Sequence, residues 1–125
     1  MSKTLDLDIL AGLGLGQVDG MDDIVIEVID LYLEDAQQRS RVMEEALARR
    51  DWSTLEEAAH ALKGSSGTVG ALNMARICQQ LEQLATDNNW HISGSTLQCL
   101  SVEYARVREV LMSERQKRMD EVLVS

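Results

Sequence analysis

The sequence predicts an all-α protein, an antiparallel four-helix bundle with a short extra helix at its N-terminus. The 125 residues include no proline, the residue that breaks helices most strongly. Aromatic residues make up only 3% of the chain, which argues against a fold rich in β-sheet, where they are enriched. Four long segments also repeat their apolar residues at helical spacing, so helices can bury one face each against their neighbours.

The first two predicted helices occupy the N-terminal part of the chain. A short helix over residues 5–13 carries four spaced apolar residues and runs into a glycine-rich stretch, and we expect residues 1–20 to form a covering segment. A long helix then runs from Met21 to about Arg49. It is the first helix of a bundle predicted over about residues 21–122. We expect a single domain spanning 1–125, because a chain of this length can bury one core.

The next helix begins shortly after residue 50. Asp51 can cap it, or Ser53 can do so together with Glu56, three residues on, as a capping box. Its apolar stripe includes Leu55, Ala59 and Leu62, and Gly70 supplies the turn that follows.

The last two helices are separated by a predicted loop. A helix over residues 71–87 carries a strong apolar stripe, and residues 88–94 are polar enough to form a connection. Ser95 and Gln98 match a second capping box, which opens a final helix that reaches about Val122. Short connections of this kind are typical of an antiparallel bundle.

Charge and composition exclude several classes of function. A net charge of −9 would repel a phosphate backbone, so nucleic acid is not an expected partner. Apolar runs are far shorter than a membrane span needs, and the N-terminus lacks the pattern of a signal peptide, so we expect a cytoplasmic protein without a membrane partner. Cys78 and Cys99 form no metal-binding motif and are predicted to be reduced thiols in the core.

One stretch conflicts with helix propensity. Gly64 and Gly67 fall inside the third predicted helix, where each is about 1 kcal/mol less favourable than alanine. At 100° per residue both glycines share a solvent-facing strip with His60 and Lys63, and Glu56 lies one turn before the histidine. Because glycine has no side chain, the two glycines let another macromolecule approach the helix closely beside His60.

The chemistry that fits this strip is nucleophilic. A neutral histidine ring nitrogen can attack an electrophile near neutral pH, and an ammonium group on Lys63 can stabilise the oxygens of a transferred phosphoryl group. We find no glycine-rich phosphate loop after a strand and no serine nucleophile with a histidine base. The chain is therefore predicted to have no ATP site, kinase activity or cofactor of its own, and its phosphoryl donor must be another protein.

The run from His60 to Ala71, HALKGSSGTVGA, closely resembles the signature of histidine-containing phosphotransfer domains of two-component phosphorelays. The resemblance extends over about residues 24–111. It implies a four-helix bundle whose histidine accepts a phosphoryl group from a receiver-domain aspartate and passes it to another. The implied partners are receiver domains of a response regulator or of a hybrid sensor histidine kinase, and the Mg²⁺ would belong to the receiver's acidic pocket.

The resemblance also implies roles for individual residues. His60 would be the phosphoacceptor, Lys63 would assist the phosphate, and Gly64 would leave room for the receiver. Ser65 and Gly67 occupy small positions of the family. Glu82 stands where some members carry glutamine, from which it can hydrogen-bond the imidazole or, being acidic, repel the phosphate.

Two other classes of function compete with the phosphocarrier. The bundle could sequester a partner protein, with His60 merely part of an interface. It could also be the phosphoacceptor domain of a larger hybrid or chemotaxis-type kinase, which shares the His-x-x-Lys-Gly pattern. Phosphoryl transfer that depends on His60 distinguishes the first alternative from a phosphocarrier.

Overall fold

The computed structural model describes residues 21–124, which form four α-helices and no strand. Each pair of consecutive helices is joined by a three-residue turn, so neighbours run antiparallel. α1 and α3 each pack against both α2 and α4. The predicted four-helix bundle is confirmed, whereas the predicted helix at 5–13 and covering segment at 1–20 lie outside the described residues. The helices are α1 (Met21–Ala48), α2 (Trp52–Thr68), α3 (Leu72–Thr86) and α4 (Trp90–Val124).

All four helices contribute fully buried apolar side chains to one core, as their spacing predicts. A hydrogen bond between two hydroxyls lies inside it, because Tyr32 of α1 and Ser66 of α2 are 2.8 Å apart and both buried. Burial raises the pKa of the Tyr32 hydroxyl well above its ordinary value, so this group stays protonated and able to donate. The largest buried side chains include Ile29, Met43, Leu55, Leu62, Met74, Leu81, Leu100 and Leu111.

The two cysteines have different environments. Cys78 is buried in the core, where burial raises the pKa of its thiol to about 12. Cys99 is exposed on α4, so the prediction that both are core thiols is wrong for Cys99. The apolar stripe of α4 passes through Leu100 instead, and Cys99 precedes that stripe by one residue, which turns it toward solvent.

The start of α2 is capped by Asp51. Its carboxylate accepts hydrogen bonds from the backbone N–H of Thr54 at 3.2 Å and from the Thr54 hydroxyl at 2.7 Å. These bonds lower the pKa of Asp51. The alternative capping box of Ser53 and Glu56 is wrong, because the helix has already begun at Trp52.

The start of α4 differs from the prediction. The helix begins at Trp90, so the loop predicted over 88–94 and the capping box at Ser95 are both wrong. Asn89 provides the start, since its side-chain oxygen accepts from the N–H of Ile92 at 3.3 Å and its carbonyl accepts from the buried Ser93 hydroxyl at 2.6 Å. Only residues 87–89 remain as the turn.

Both ends of α2 have turns with distinctive contacts. Arg50, with a left-handed φ of 55°, places its guanidinium 3.8 Å from the centre of the Trp90 ring and so joins the α1–α2 turn to the start of α4. At the opposite end Gly70 adopts φ 83°, a conformation that favours glycine, and the chain reverses into α3 as predicted.

The last third of α4 pairs with the start of α1. Arg115 forms a bidentate pair with Asp30 at 2.7 and 3.1 Å, and Arg118 contacts Asp22 at 2.9 Å. These ion pairs hold the two helices together beyond the centre of the core. None of the helices within residues 21–124 has the length and apolar content that crossing a membrane requires.

Candidate functional site

His60 lies on the outer face of α2, beside α3. Its neighbours in sequence, Ala59 and Leu62, are fully buried, so the helix is anchored directly behind it. The His60 side chain is 67% exposed, and its Nδ1 lies 2.7 Å from Oε2 of Glu82. The helix therefore presents the ring to solvent while α3 supplies the carboxylate that orients it.

Glu82 contacts two groups of α2 at once. Its Oε1 accepts a hydrogen bond from Nζ of Lys63 at 2.8 Å, and its Oε2 faces the His60 ring. The bond from Lys63, and secondarily the one from His60, lowers the pKa of the Glu82 carboxyl. An ionised carboxylate can only accept, so in the neutral ring Nδ1 of His60 carries the proton and Nε2 keeps the free lone pair.

The glycines extend this site along α2. Gly64 is exposed and Gly67 half-buried, and a Cβ added to either would meet no other group within 4 Å. Neither glycine is thus required by packing inside the bundle. Ser65, between them, is half-buried and donates to the carbonyl of Leu62 at 3.3 Å, a contact within its own helix.

An acidic cleft borders His60 on the other side. It has a volume of about 490 Å³ and is lined by His60, Glu82, Ser53, Glu56 and Glu57. Glu56 thus lies near the histidine, as its spacing predicts, but Glu82 is the carboxylate that contacts the ring. Glu57 was missed by the sequence analysis, although its position three residues before His60 on a helix was a usable signal.

The structure brings His60, Lys63 and Glu82 into one hydrogen-bonded group, with Gly64 and Gly67 along the same surface. Among residues 21–124, no group of three or more His, Cys, Asp or Glu side chains could hold a metal ion. The arrangement suits transfer of a group to and from a single ring nitrogen. Such a site defines a class, the small four-helix bundles that carry one exposed histidine oriented by a carboxylate of the neighbouring helix.

The family follows from comparison with known proteins. The Hpt domain model matches residues 27–110, and the chain belongs to this family. It is 32% identical over 98 residues to histidine-containing phosphotransfer protein 2 of Arabidopsis thaliana, covering 76% of this chain and 63% of that protein. The chain thus spans less than two thirds of the length of this relative.

Two further relatives are informative. The crystal structure of histidine-containing phosphotransfer protein B from Pseudomonas aeruginosa superposes with a TM-score of 0.84 at 29% identity, covering 94% of this chain and 98% of that one. A pseudo histidine-containing phosphotransfer protein 2 of Oryza sativa is 27% identical over 99 residues, covering 78% of this chain and 66% of that protein. The chain is therefore similar to proteins that are named for phosphotransfer and to one whose name sets it apart.

Proposed function

We propose that this protein is a phosphorelay intermediate. His60 accepts a phosphoryl group from the aspartate of one receiver domain and passes it to the aspartate of another, in a reversible exchange. The observation that carries the proposal is the exposed ring whose Nδ1 is held by Glu82, which leaves Nε2 free at the surface. Membership of the Hpt domain family supports the same conclusion.

The transfer step uses the lone pair of His60 Nε2. It attacks the phosphorus of the receiver's aspartyl phosphate, the N–P bond forms, and the P–O bond to the aspartate breaks with its electron pair, which restores a carboxylate on the receiver. The proton stays on Nδ1, facing Glu82 at 2.7 Å. As the ring gains positive charge, this carboxylate stabilises it, and the reverse step returns the phosphoryl group to an aspartate.

Lys63 supplies the local positive charge. Its ammonium group is 2.8 Å from Glu82 in the unmodified protein, and the Lys63 side chain is 32% exposed, so rotation of this flexible side chain can direct the ammonium group to the phosphoryl oxygens. Glu82 then keeps the ring oriented while Lys63 offsets the charge of the phosphate. Gly64 and Gly67 leave the approach open for the receiver.

The proposed partners are receiver domains, in a response regulator, a hybrid sensor histidine kinase or both. In this proposal ATP is consumed by the kinase and Mg²⁺ is held by the receiver, while this chain contributes the histidine and has no kinase activity of its own. We place the exchange in the cytoplasm, where thiols such as the unpaired Cys78 and Cys99 stay reduced.

A direct experiment uses a purified receiver domain carrying radiolabelled aspartyl phosphate. Incubation with the wild type should move acid-labile label to this protein within minutes, and His60→Gln should accept none. His91→Gln is the matched control, because His91 is also exposed on a helix but lies on α4. Equal labelling of wild type and His60→Gln, or no labelling of either by any receiver tested, would contradict the proposal.

A relative that is named a pseudo phosphotransfer protein favours one second candidate, a non-catalytic binding module that sequesters a partner protein. In that case His60→Gln would keep full biological activity as well as receiver affinity. Under the phosphocarrier proposal the same variant keeps affinity within a few fold and loses activity. Affinity and activity measured on one variant therefore separate the two functions.

A further inference from the structure

A second cleft lies between α3 and α4, on a different seam of the bundle from His60. It has a volume of about 860 Å³, and α4 supplies most of its lining. Ile77 of α3 and the 54% exposed Val102 of α4 make part of it apolar. Glu103, Arg106 and the exposed Cys99 lie along the same lining. The proposed phosphoryl transfer uses none of these residues.

Glu103 is the unusual member of this cleft. The residue is only 5% exposed, and its Oε2 is buried without a hydrogen-bond partner among residues 21–124. A carboxylate has room for several donors, and leaving a buried oxygen without one is unfavourable. It also occupies a position on the buried stripe of α4, between Leu100 and Val107, where an apolar residue would suit the core better.

Arg106 compensates Glu103 only weakly. Its Nη1 is 3.5 Å from Oε1, at the outer limit of a hydrogen bond, and the Arg106 side chain is 65% exposed. Most of its charge is therefore solvated, and the side chain can swing away from the cleft without breaking a strong bond. A better donor that reaches Glu103 would replace it.

We propose that this cleft binds an arginine side chain of a protein partner, with Glu103 as the anchor. A guanidinium can replace the 3.5 Å contact of Arg106 with a shorter, charge-assisted hydrogen bond to Oε1, and a turn of the carboxylate toward the cleft would bring the buried Oε2 to its second N–H group. The aliphatic stem of the arginine can pack against Ile77 and Val102. The cleft volume also leaves room for the residues that flank the arginine. The net charge of the chain, −9, attracts basic partners to the protein as a whole. The site is independent of His60 chemistry.

Cys99 provides a reporter for occupancy of the cleft. Because Cys78 is buried, uncharged iodoacetamide should modify Cys99 alone, and mass spectrometry can follow the rate. The probes are a capped pentapeptide, Gly-Val-Arg-Val-Gly, and its twin with citrulline, a neutral isostere, in place of arginine. We expect saturable protection of Cys99 by the arginine peptide at a concentration at least about tenfold lower than the citrulline twin requires.

Three variants decide what anchors the peptide. Glu103→Gln should abolish the difference between the two peptides, whereas Arg106→Gln, which removes the competing cation, should tighten binding of the arginine peptide about threefold or more. Glu109→Gln removes the same charge from an exposed position of α4 and should change nothing beyond a small salt-dependent effect. Circular dichroism checks that Glu103→Gln is folded. If Glu103→Gln does not fold, Arg106→Gln still tests the site, because Arg106 is exposed and its replacement should leave the fold intact.

Four results would overturn the proposal. The first is equal protection by the arginine and citrulline peptides. The second is an equal loss in Glu103→Gln and Glu109→Gln, which would mean that the overall negative charge attracts the peptide. The third is protection by guanidinium chloride at concentrations as low as those of the peptide, which would assign the cleft to a small cation instead of a protein partner. Unchanged binding in Arg106→Gln would count against it as well.

Discussion

The two faces of α2 contrast in how they use the same seventeen residues. The inner face is fully buried at Leu55, Ala59, Leu62 and Ser66, so packing stabilises it. The outer face carries His60 and two glycines, which helix propensity disfavours and at which an added Cβ would meet no other group within 4 Å. Packing of the inner face therefore stabilises the helix strongly enough that the outer face can carry destabilising glycines, which leave His60 accessible.

The largest effect should come from emptying the inner face. Leu62→Ala removes a fully buried side chain, and we expect the free energy of unfolding to fall by about 2–5 kcal/mol. Urea denaturation measures it. His60→Ala changes a residue two positions away, on the outer face. It should shift the free energy of unfolding by no more than about 0.5 kcal/mol. Similar losses in the two variants would remove the distinction between the faces.

A second test concerns the polar contact on the inner face. Tyr32→Phe leaves the buried Ser66 hydroxyl without its partner at 2.8 Å, and we expect a loss of about 1–3 kcal/mol. The double variant Tyr32→Phe with Ser66→Ala should lose less than the two single variants added together, because no orphaned hydroxyl remains. Strict additivity in thermal or urea unfolding would show that the two hydroxyls do not interact.

A third test acts on the outer face, with opposite signs for stability and activity. Gly64→Gln should stabilise the helix by about 1 kcal/mol, since nothing lies within 4 Å of an added Cβ, yet slow phosphoryl transfer about tenfold by obstructing the receiver. Gly94→Gln is the matched control, because Gly94 is a helical glycine on α4 with equally open surroundings. It should raise stability and leave transfer unchanged. Unaltered transfer in Gly64→Gln would mean that the receiver docks elsewhere.

The smallest effect should appear in the pH dependence of stability. The pKa of Glu82 is lowered in the folded protein, chiefly by Lys63, so this contact stabilises the fold above the ordinary value of 4.5 and is lost as the pH falls through the lower folded value. Relative to Glu82→Gln, the wild type should lose less than about 1 kcal/mol over that acidic window. If the free energies of unfolding of the two proteins ran parallel from pH 6 to pH 2.5, the contact between Lys63 and Glu82 would contribute nothing measurable to stability.

Much of the fold was predictable because helix spacing and the absence of proline are local signals. The predicted stripe of α2 at Leu55, Ala59 and Leu62 was correct, and so was the turn at Gly70. The start of α4 was not predictable in the same way. Asn89 and Ser95 both have side chains that can cap a helix, and only the packing of Ser93 into the core decides between them.

The site, too, has a part that local spacing predicts and a part that depends on helix packing. His60, Lys63 and the two glycines lie on one helix, so a helical wheel was sufficient to group them. The bridge through Glu82 joins His60 to a residue 22 positions later on the next helix, and it depends on how α3 packs on α2, which spacing alone does not determine. The resemblance pointed to the position, but only the structure shows that one carboxylate contacts both His60 and Lys63. Their roles in transfer stay predictions until the variants are measured.

The contact between Arg50 and Trp90 has an optical consequence. The only two tryptophans of the chain, Trp52 and Trp90, begin α2 and α4 at the same end of the bundle. His60 lies eight residues along α2 from Trp52, about 12 Å at 1.5 Å per residue. Intrinsic fluorescence should therefore report the packing of the first residues of α2 and α4 during folding and remain nearly constant during phosphoryl exchange. Folding and phosphoryl transfer then have separate signals in one sample.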